Sequence, residues 1–241
     1  MKEVDKFRAH VLRVNVQYYE MKRLRENLPA GHVLIWMDFA ENFICTALEE
    51  VQSAYWTADM VTLHTSVVYF PSSHTKSHMS IVGISETLSH NANTVYSMIK
   101  KKSIPIVKNE YPGLEMVHYL TDSPTSQYRN KTIFNLVCEH ETVVGAKATW
   151  DYLEAGHGKG PCDGLGASVK RTADSAIKQG KASIQCAADF YKWATQTGTS
   201  SVVTYYYVLQ EEYNVSETFL IKGNNKITEL RTILQRESPN S

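Results

Sequence analysis

Apolar residues recur at three- and four-residue spacing over residues 4–27, through Phe7, Val11, Val14, Tyr18, Met21 and Leu24. That spacing predicts an amphipathic helix. Arg8, Arg13, Lys22, Arg23 and Arg25 lie between the apolar positions. They read as the solvated face of a packing helix, with contact to a DNA backbone as the alternative. Pro29, Ala30 and Gly31 end the helix. The pattern then shortens. Residues 32–38 form a continuous apolar run of strand length, and 61–70 and 78–85 are rich in β-branched and aromatic residues with a polar turn between them. Three strands in succession predict an antiparallel meander. Residues 46–54 are ambiguous between helix and loop.

From there strand and helix patterns alternate. A helix is predicted over 91–102, ending in three lysines, with Pro105 and Pro112-Gly113 as a connection. A strand over 115–122, a helix over 128–140, a strand over 146–153 and a helix over 164–179 follow. The order is β-β-β-α-β-α-β-α, which predicts an α/β fold with a five-stranded mixed sheet flanked by helices. A helix over 182–195, a strand over 202–210 and a segment at 217–222 that pairs with it extend the fold, and the tail from 237 is polar and frayed. The expected organisation is an N-terminal helical segment over 1–31, a core over 32–181, and a C-terminal helix and β extension over 182–241.

Composition narrows the function classes. The chain has 241 residues, 43% hydrophobic and 21% charged, enough for a real core. Its 25 basic and 25 acidic residues cancel, so any nucleic-acid contact needs a local patch. Cys45, Cys138, Cys162 and Cys186 are widely spaced with no CxxC pair, which argues against a four-cysteine zinc site and for free thiols in a reducing compartment. The charged N-terminus lacks an apolar signal region, and there is no apolar run of the roughly 18 residues a membrane span needs. A nuclear or other intracellular, non-secreted protein is expected.

The candidate chemistry sits at strand ends. The runs 32–38 and 115–122 each close on an aspartate, Asp38 and Asp122. In a mixed sheet of this order the two strands lie side by side and parallel, bringing both acids to the edge where ligands bind. Carboxylates that close repel unless a cation lies between them, and Mg²⁺ is the natural one. Asp163 opens the next helix, as an acid for the same site or only as its cap. His157, six residues earlier, is a candidate for proton transfer and Lys159 for phosphate. His157 and Cys162 as half of a zinc site is the weaker alternative, since no second pair has compatible spacing. Asp38 is preferred over Glu41, because Asp38 closes the apolar run.

The strings MDFAEN at 37–42, TDSPTSQYRNK at 121–131 and HGKGPCDG at 157–164 resemble transposase-derived proteins of the ribonuclease-H-like transposase and integrase superfamily. The resemblance covers about residues 4–195. It implies a ribonuclease-H-like five-stranded sheet and a triad of acids, Asp38, Asp122 and Asp163, binding two Mg²⁺ or Mn²⁺ ions for DNA cleavage and strand transfer. The third acid is commonly glutamate in that superfamily. Ser123 stands where related proteins carry glycine, and residues 153–156 depart from the usual run, as in a domesticated copy. Double-stranded DNA resembling transposon ends is the implied partner, and a homo-oligomer the implied assembly. Gln127, Arg129, Lys131, Lys159, Lys170 and Arg171 are the candidate nucleic-acid contacts. The sequence has no zinc-finger pattern and no basic helix-turn-helix. A catalytically silent binding module and a nuclease without transposition are the two alternatives.

Overall fold

A computed structural model describes residues 2–45, 59–154, 160–196, 201–209 and 211–213. The first helix, α1, spans Lys2–Glu26. Then come β1 (His32–Phe39), the short β2 (Phe43–Ile44), β3 (Met60–Tyr69) and β4 (His78–Ser85). Helix α2 (Ala92–Met98) runs through a π-helical turn (Ile99–Ser103) into α3 (Ile104–Glu110). The rest is β5 (Met116–Thr121), α4 (Lys131–Val144), β6 (Lys147–Tyr152), α5 (Pro161–Lys178), α6 (Ala187–Gln196) and β7 (Val203–Val208).

One mixed sheet organises these elements, in the order β6-β5-β1-β3-β4-β7, with β2 paired to β3. β1, β3 and β4 form the expected antiparallel meander. β5 lies parallel to β1, and β6 parallel to β5. The five strands β4-β3-β1-β5-β6 thus form the expected five-stranded mixed sheet. β7 joins β4 in parallel, so the C-terminal strand enlarges the same sheet.

β1 is central and buried on both faces, which is why it reads as an unbroken apolar run. Val33, Ile35 and Met37 point into a core beneath α2, α3 and α4, while Leu34 and Trp36 point the other way, toward Leu28, Leu120 and Cys162. A further cluster on that second side joins β3 and β4 to α5 and α6 through Leu63, Val82, Val169 and Phe190.

Three sequence expectations need correction. Pro105 does not mark a connection: it sits in the first turn of α3, where a missing N–H costs nothing. The preceding π turn takes up the clash a proline ring makes with the carbonyl four residues back. The helices expected from 128 and 182 begin at Lys131 and Ala187, with Asn130 capping the first by accepting from the Ile133 amide at 3.1 Å. The apolar stripe of α1 is only partly used. Met21 and Leu24 pack, but Phe7 is 66% exposed and Val11 and Tyr18 are open to solvent as well. The expectations at 46–54, at 217–222 and in the tail lie outside the described residues.

What holds α1 to the sheet is largely polar. The buried Gln17 donates to the Tyr152 carbonyl at 3.0 Å and accepts from the Glu154 amide at 2.9 Å, satisfying the open edge of β6 as a neighbouring strand would. Glu154 in turn accepts from Arg13 at 2.6 Å and pairs with His10. Gln17→Ala leaves both backbone groups without that partner. It is expected to lower stability by about 1–2 kcal/mol in urea unfolding, with protease cutting in α1 accelerated.

Candidate functional site

The parallel register of β1 and β5 pairs Trp36 with Leu120. Two residues further along each strand, on the same face, stand Asp38 and Asp122. Asp38 is the penultimate residue of β1, and Asp122 directly follows β5. The two acids therefore emerge side by side at the C-terminal ends of adjacent parallel strands. Asp38 is held on both sides: its Oδ1 accepts from the Phe39 amide at 2.8 Å, and its carbonyl accepts from the Thr65 hydroxyl at 3.0 Å. Asp122 is less satisfied. Its Oδ1 is buried and has no hydrogen-bond partner among the described residues.

Asp163 arrives on α5, and two glycines set how near α5 lies to β1. A Cβ at Gly160 would meet the Trp36 ring at 2.3 Å, and one at Gly166 would meet the Ala40 Cβ at 2.8 Å. Cys162 is buried between them and donates from Sγ to the Trp36 carbonyl at 3.1 Å. Burial, with the charge on Asp38, pushes its thiol far up, which leaves it protonated and unsuited to a zinc site. Asp163 is exposed, and its Oδ2 accepts from the Gly160 amide at 2.8 Å. It caps α5, the alternative role open to it from sequence.

The electrostatics tie the three acids together. Burial first, then the negative charge on Asp122 and on Asp163, raise Asp38 to about 7 against the opposing Phe39 amide. Burial and Asp163 raise Asp122. The repulsion places Asp38, Asp122 and Asp163 within electrostatic range of one another. Among the described residues, no group of three His, Cys, Asp or Glu side chains is placed so as to hold a metal ion. The chemistry of the donors nonetheless suits a hard cation: an orphaned carboxylate oxygen and a second carboxylate that repels it.

Behind the acids lies a layer that pattern reading missed. The Phe39 ring stacks on His90 at 4.2 Å and tilts against His64 at 4.6 Å. The buried Tyr128 hydroxyl and His64 Nε2 are 3.3 Å apart. Burial lowers His64 to about 3, so the imidazole is neutral. Burial and then Asp38 and Asp122 hold the Tyr128 phenol well above its ordinary value. His64 sits within the apolar run of β3, where nothing in the sequence distinguishes it from core, although its register partner, Phe39, directly follows Asp38.

Gln127 lies in a turn whose amides, including those of Gln127 and Arg129, point to the Pro124 carbonyl. Arg129, Lys131 and Arg171 are exposed. Lys170 donates to the Glu41 carbonyl at 3.2 Å and approaches its carboxylate at 3.7 Å. Glu41 is thus directed at a lysine on α5, with its side chain 96% exposed. His157 and Lys159 lie outside the described residues. No described helix is long and apolar enough to cross a membrane.

The model of a protein family described as "Domain of unknown function (DUF8701)" matches residues 17–237. No curated protein matches the sequence. Solved structures with some similarity include nuclease domains of the human cytomegalovirus terminase. The Mn-soaked domain is 10% identical with a TM-score of 0.29, over 85% of this chain and 79% of that one. A second structure of the domain is 10% identical with a TM-score of 0.28, over 83% and 78%.

The raised Asp38 carries a sign. Its value is 3.8 in the ordinary state and about 7 when folded. Between those values the folded protein binds more protons than the unfolded chain, so stability falls as pH rises through this window. Asp38→Asn is expected to flatten the fall between pH 5 and 8. At pH 8 it is expected to be more stable than wild type by on the order of 1–2 kcal/mol, after allowance for solvent screening. Thermal unfolding across pH checks both.

Proposed function

The chain belongs to the DUF8701 family, and we propose that it is a divalent-metal-dependent nuclease acting on double-stranded DNA. The observation that carries this reading is that Asp38 and Asp122 emerge side by side from adjacent parallel strands, with a buried Asp122 oxygen that has no partner among the described residues. Carboxylates that form no ion pair among the described residues are ones that a bound ion would complete. Asp38 and Asp122 would hold Mg²⁺ or Mn²⁺, with Asp163 as the acid from α5. Bound there, two such ions supply the means to activate an attacking hydroxyl and to stabilise the leaving oxygen of a phosphodiester.

The chain's own residues have separable parts. The Phe39 amide and Thr65 hydroxyl orient Asp38. Arg129, Lys131 and Arg171, exposed on α5 and around the start of α4, offer charge to the DNA backbone. Lys170 joins them when released from Glu41, and His157 and Lys159, shortly before α5 in the sequence, are candidates for proton transfer and phosphate binding. The resemblance to transposase cores extends the reading from cleavage to strand transfer by an assembly of several copies, in the nucleus.

A second reading has its own support. Asp163 is engaged as a helix cap, as in a core that has kept its fold as a binding module without catalysis. The two readings separate on one assay. Nicking of plasmid DNA with Mn²⁺ is expected for the wild type. Asp38→Asn or Asp122→Asn is expected to lower the rate at least about a hundredfold, the scale of losing several kcal/mol of charge stabilisation. Wild-type DNA binding without cleavage would select the silent module. Cleavage retained in both variants would remove the assignment. Joining of a labelled DNA end to a target would separate strand transfer from hydrolysis.

A further inference from the structure

A second polar cluster lies apart from the acids. Between α1 and the sheet is a cavity of about 640 Å³, within the range of small-molecule sites. Its floor is the same sheet face that carries Asp38 and Asp122, but nearer the beginning of the strands. Leu34, Leu120, Leu153, Met21 and Leu24 make its walls apolar.

The polar groups converge on one wall. His32 Nδ1 and His118 Nε2 lie 3.0 Å apart, and His118 Nδ1 lies 2.9 Å from the Thr149 hydroxyl. Both nitrogens of His118 are therefore occupied, and burial lowers it to about 4, so it is neutral. At the rim, Arg23 and Glu20 are closed on each other at 2.7 Å, and Gln17 is committed to β6. Asp151 remains. It shares the wall with Thr149, and among the described residues it makes no hydrogen bond or ion pair. Burial raises it to about 6, so near neutral pH it is mostly a carboxylate with nothing to compensate it. The charge left over in the cavity is negative, and its surroundings are apolar.

We infer that this cavity binds a small organic cation, an ammonium or amidinium on a compact apolar body, with the charged group on Asp151 and the apolar body among Leu34, Leu120 and Met21. The Thr149 hydroxyl oxygen and His32 Nε2, the ring nitrogen not turned to His118, offer further acceptors for its N–H groups. A charge-assisted hydrogen bond in a site screened from water is among the stronger polar contacts a pocket can make. The inference is independent of the nuclease reading in that the carboxylate it uses is a different one: Asp151 is level with Leu120 in the register of β5 and β6, one pleat short of Asp122.

Saturation-transfer NMR on the full chain at pH 7.5 tests it with matched probes: benzamidinium and 2-phenylethylammonium, the neutral 2-phenylacetamide, and phenylacetate. The two cations are expected to bind, and the amide and the anion to be at background. Asp151→Asn is expected to raise the cations' Kd about tenfold or more. Leu24→Trp, which fills the cavity from the helix side, is expected to abolish binding while circular dichroism stays native. Cations that bind no better than the amide would overturn the inference. So would cation binding unchanged in Leu24→Trp, which decides the matter should Asp151→Asn fail to fold.

Discussion

The parallel register of β1 with β5 is the constraint on which the candidate site depends. Each strand is a short apolar run that must be buried on both faces, so each takes the middle of the sheet and the two become neighbours. Pairing Trp36 with Leu120 then leaves no freedom in where Asp38 and Asp122 emerge. A slip of one residue would send one of the acids to the opposite face. The burial that stabilises the strands is thus the same burial that raises Asp38 and Asp122 and makes their proximity costly. The fold accumulates negative charge at one edge, which is a liability for stability and a resource for binding a cation.

The approach of α5 brings a third acid, Asp163, within electrostatic range of this pair. Gly160 lies against the Trp36 ring and Gly166 against Ala40, so the helix sits closer to β1 than any side chain at those positions would permit. Cys162 fills the space between as a small apolar group rather than as a metal ligand. The same contact that brings Asp163 near the other acids also fixes it as the cap of its helix. This observed role as a cap and the proposed role as a metal ligand compete for one carboxylate, and under the proposed function that competition separates cleavage from binding alone.

On the other half of the same face, α1 plays a different part. It binds to the sheet edge by Gln17 and Glu154 rather than by its apolar stripe, and it stands over a cavity instead of filling it. The periodic pattern over 4–27 correctly indicated a helix, but its apolar positions do not form the packed face. Side-chain periodicity reports which residues share a side of a helix; it does not report whether another element covers that side. The helix running on through Pro105 has a related cause. Proline is a reliable stop in an isolated helix, but a π turn before it and burial of Ile104 and Val107 made continuation the better solution.

By itself the sequence determined the strand and helix order apart from β2 and α3, the mixed sheet, and the candidacy of Asp38, Asp122 and Asp163, because apolar period, glycine-proline punctuation and acids at strand ends are local signals. Only the tertiary structure decided that Asp122 has an orphaned oxygen, that Asp163 is a cap, and that His64 and Tyr128 back the site. It also decided that Glu41 faces Lys170 and that Asp151 stands unpaired in a cavity with His32 and His118. These are facts about partners from distant parts of the chain, and a residue's charge state and chemistry are set by those partners more than by its neighbours in sequence.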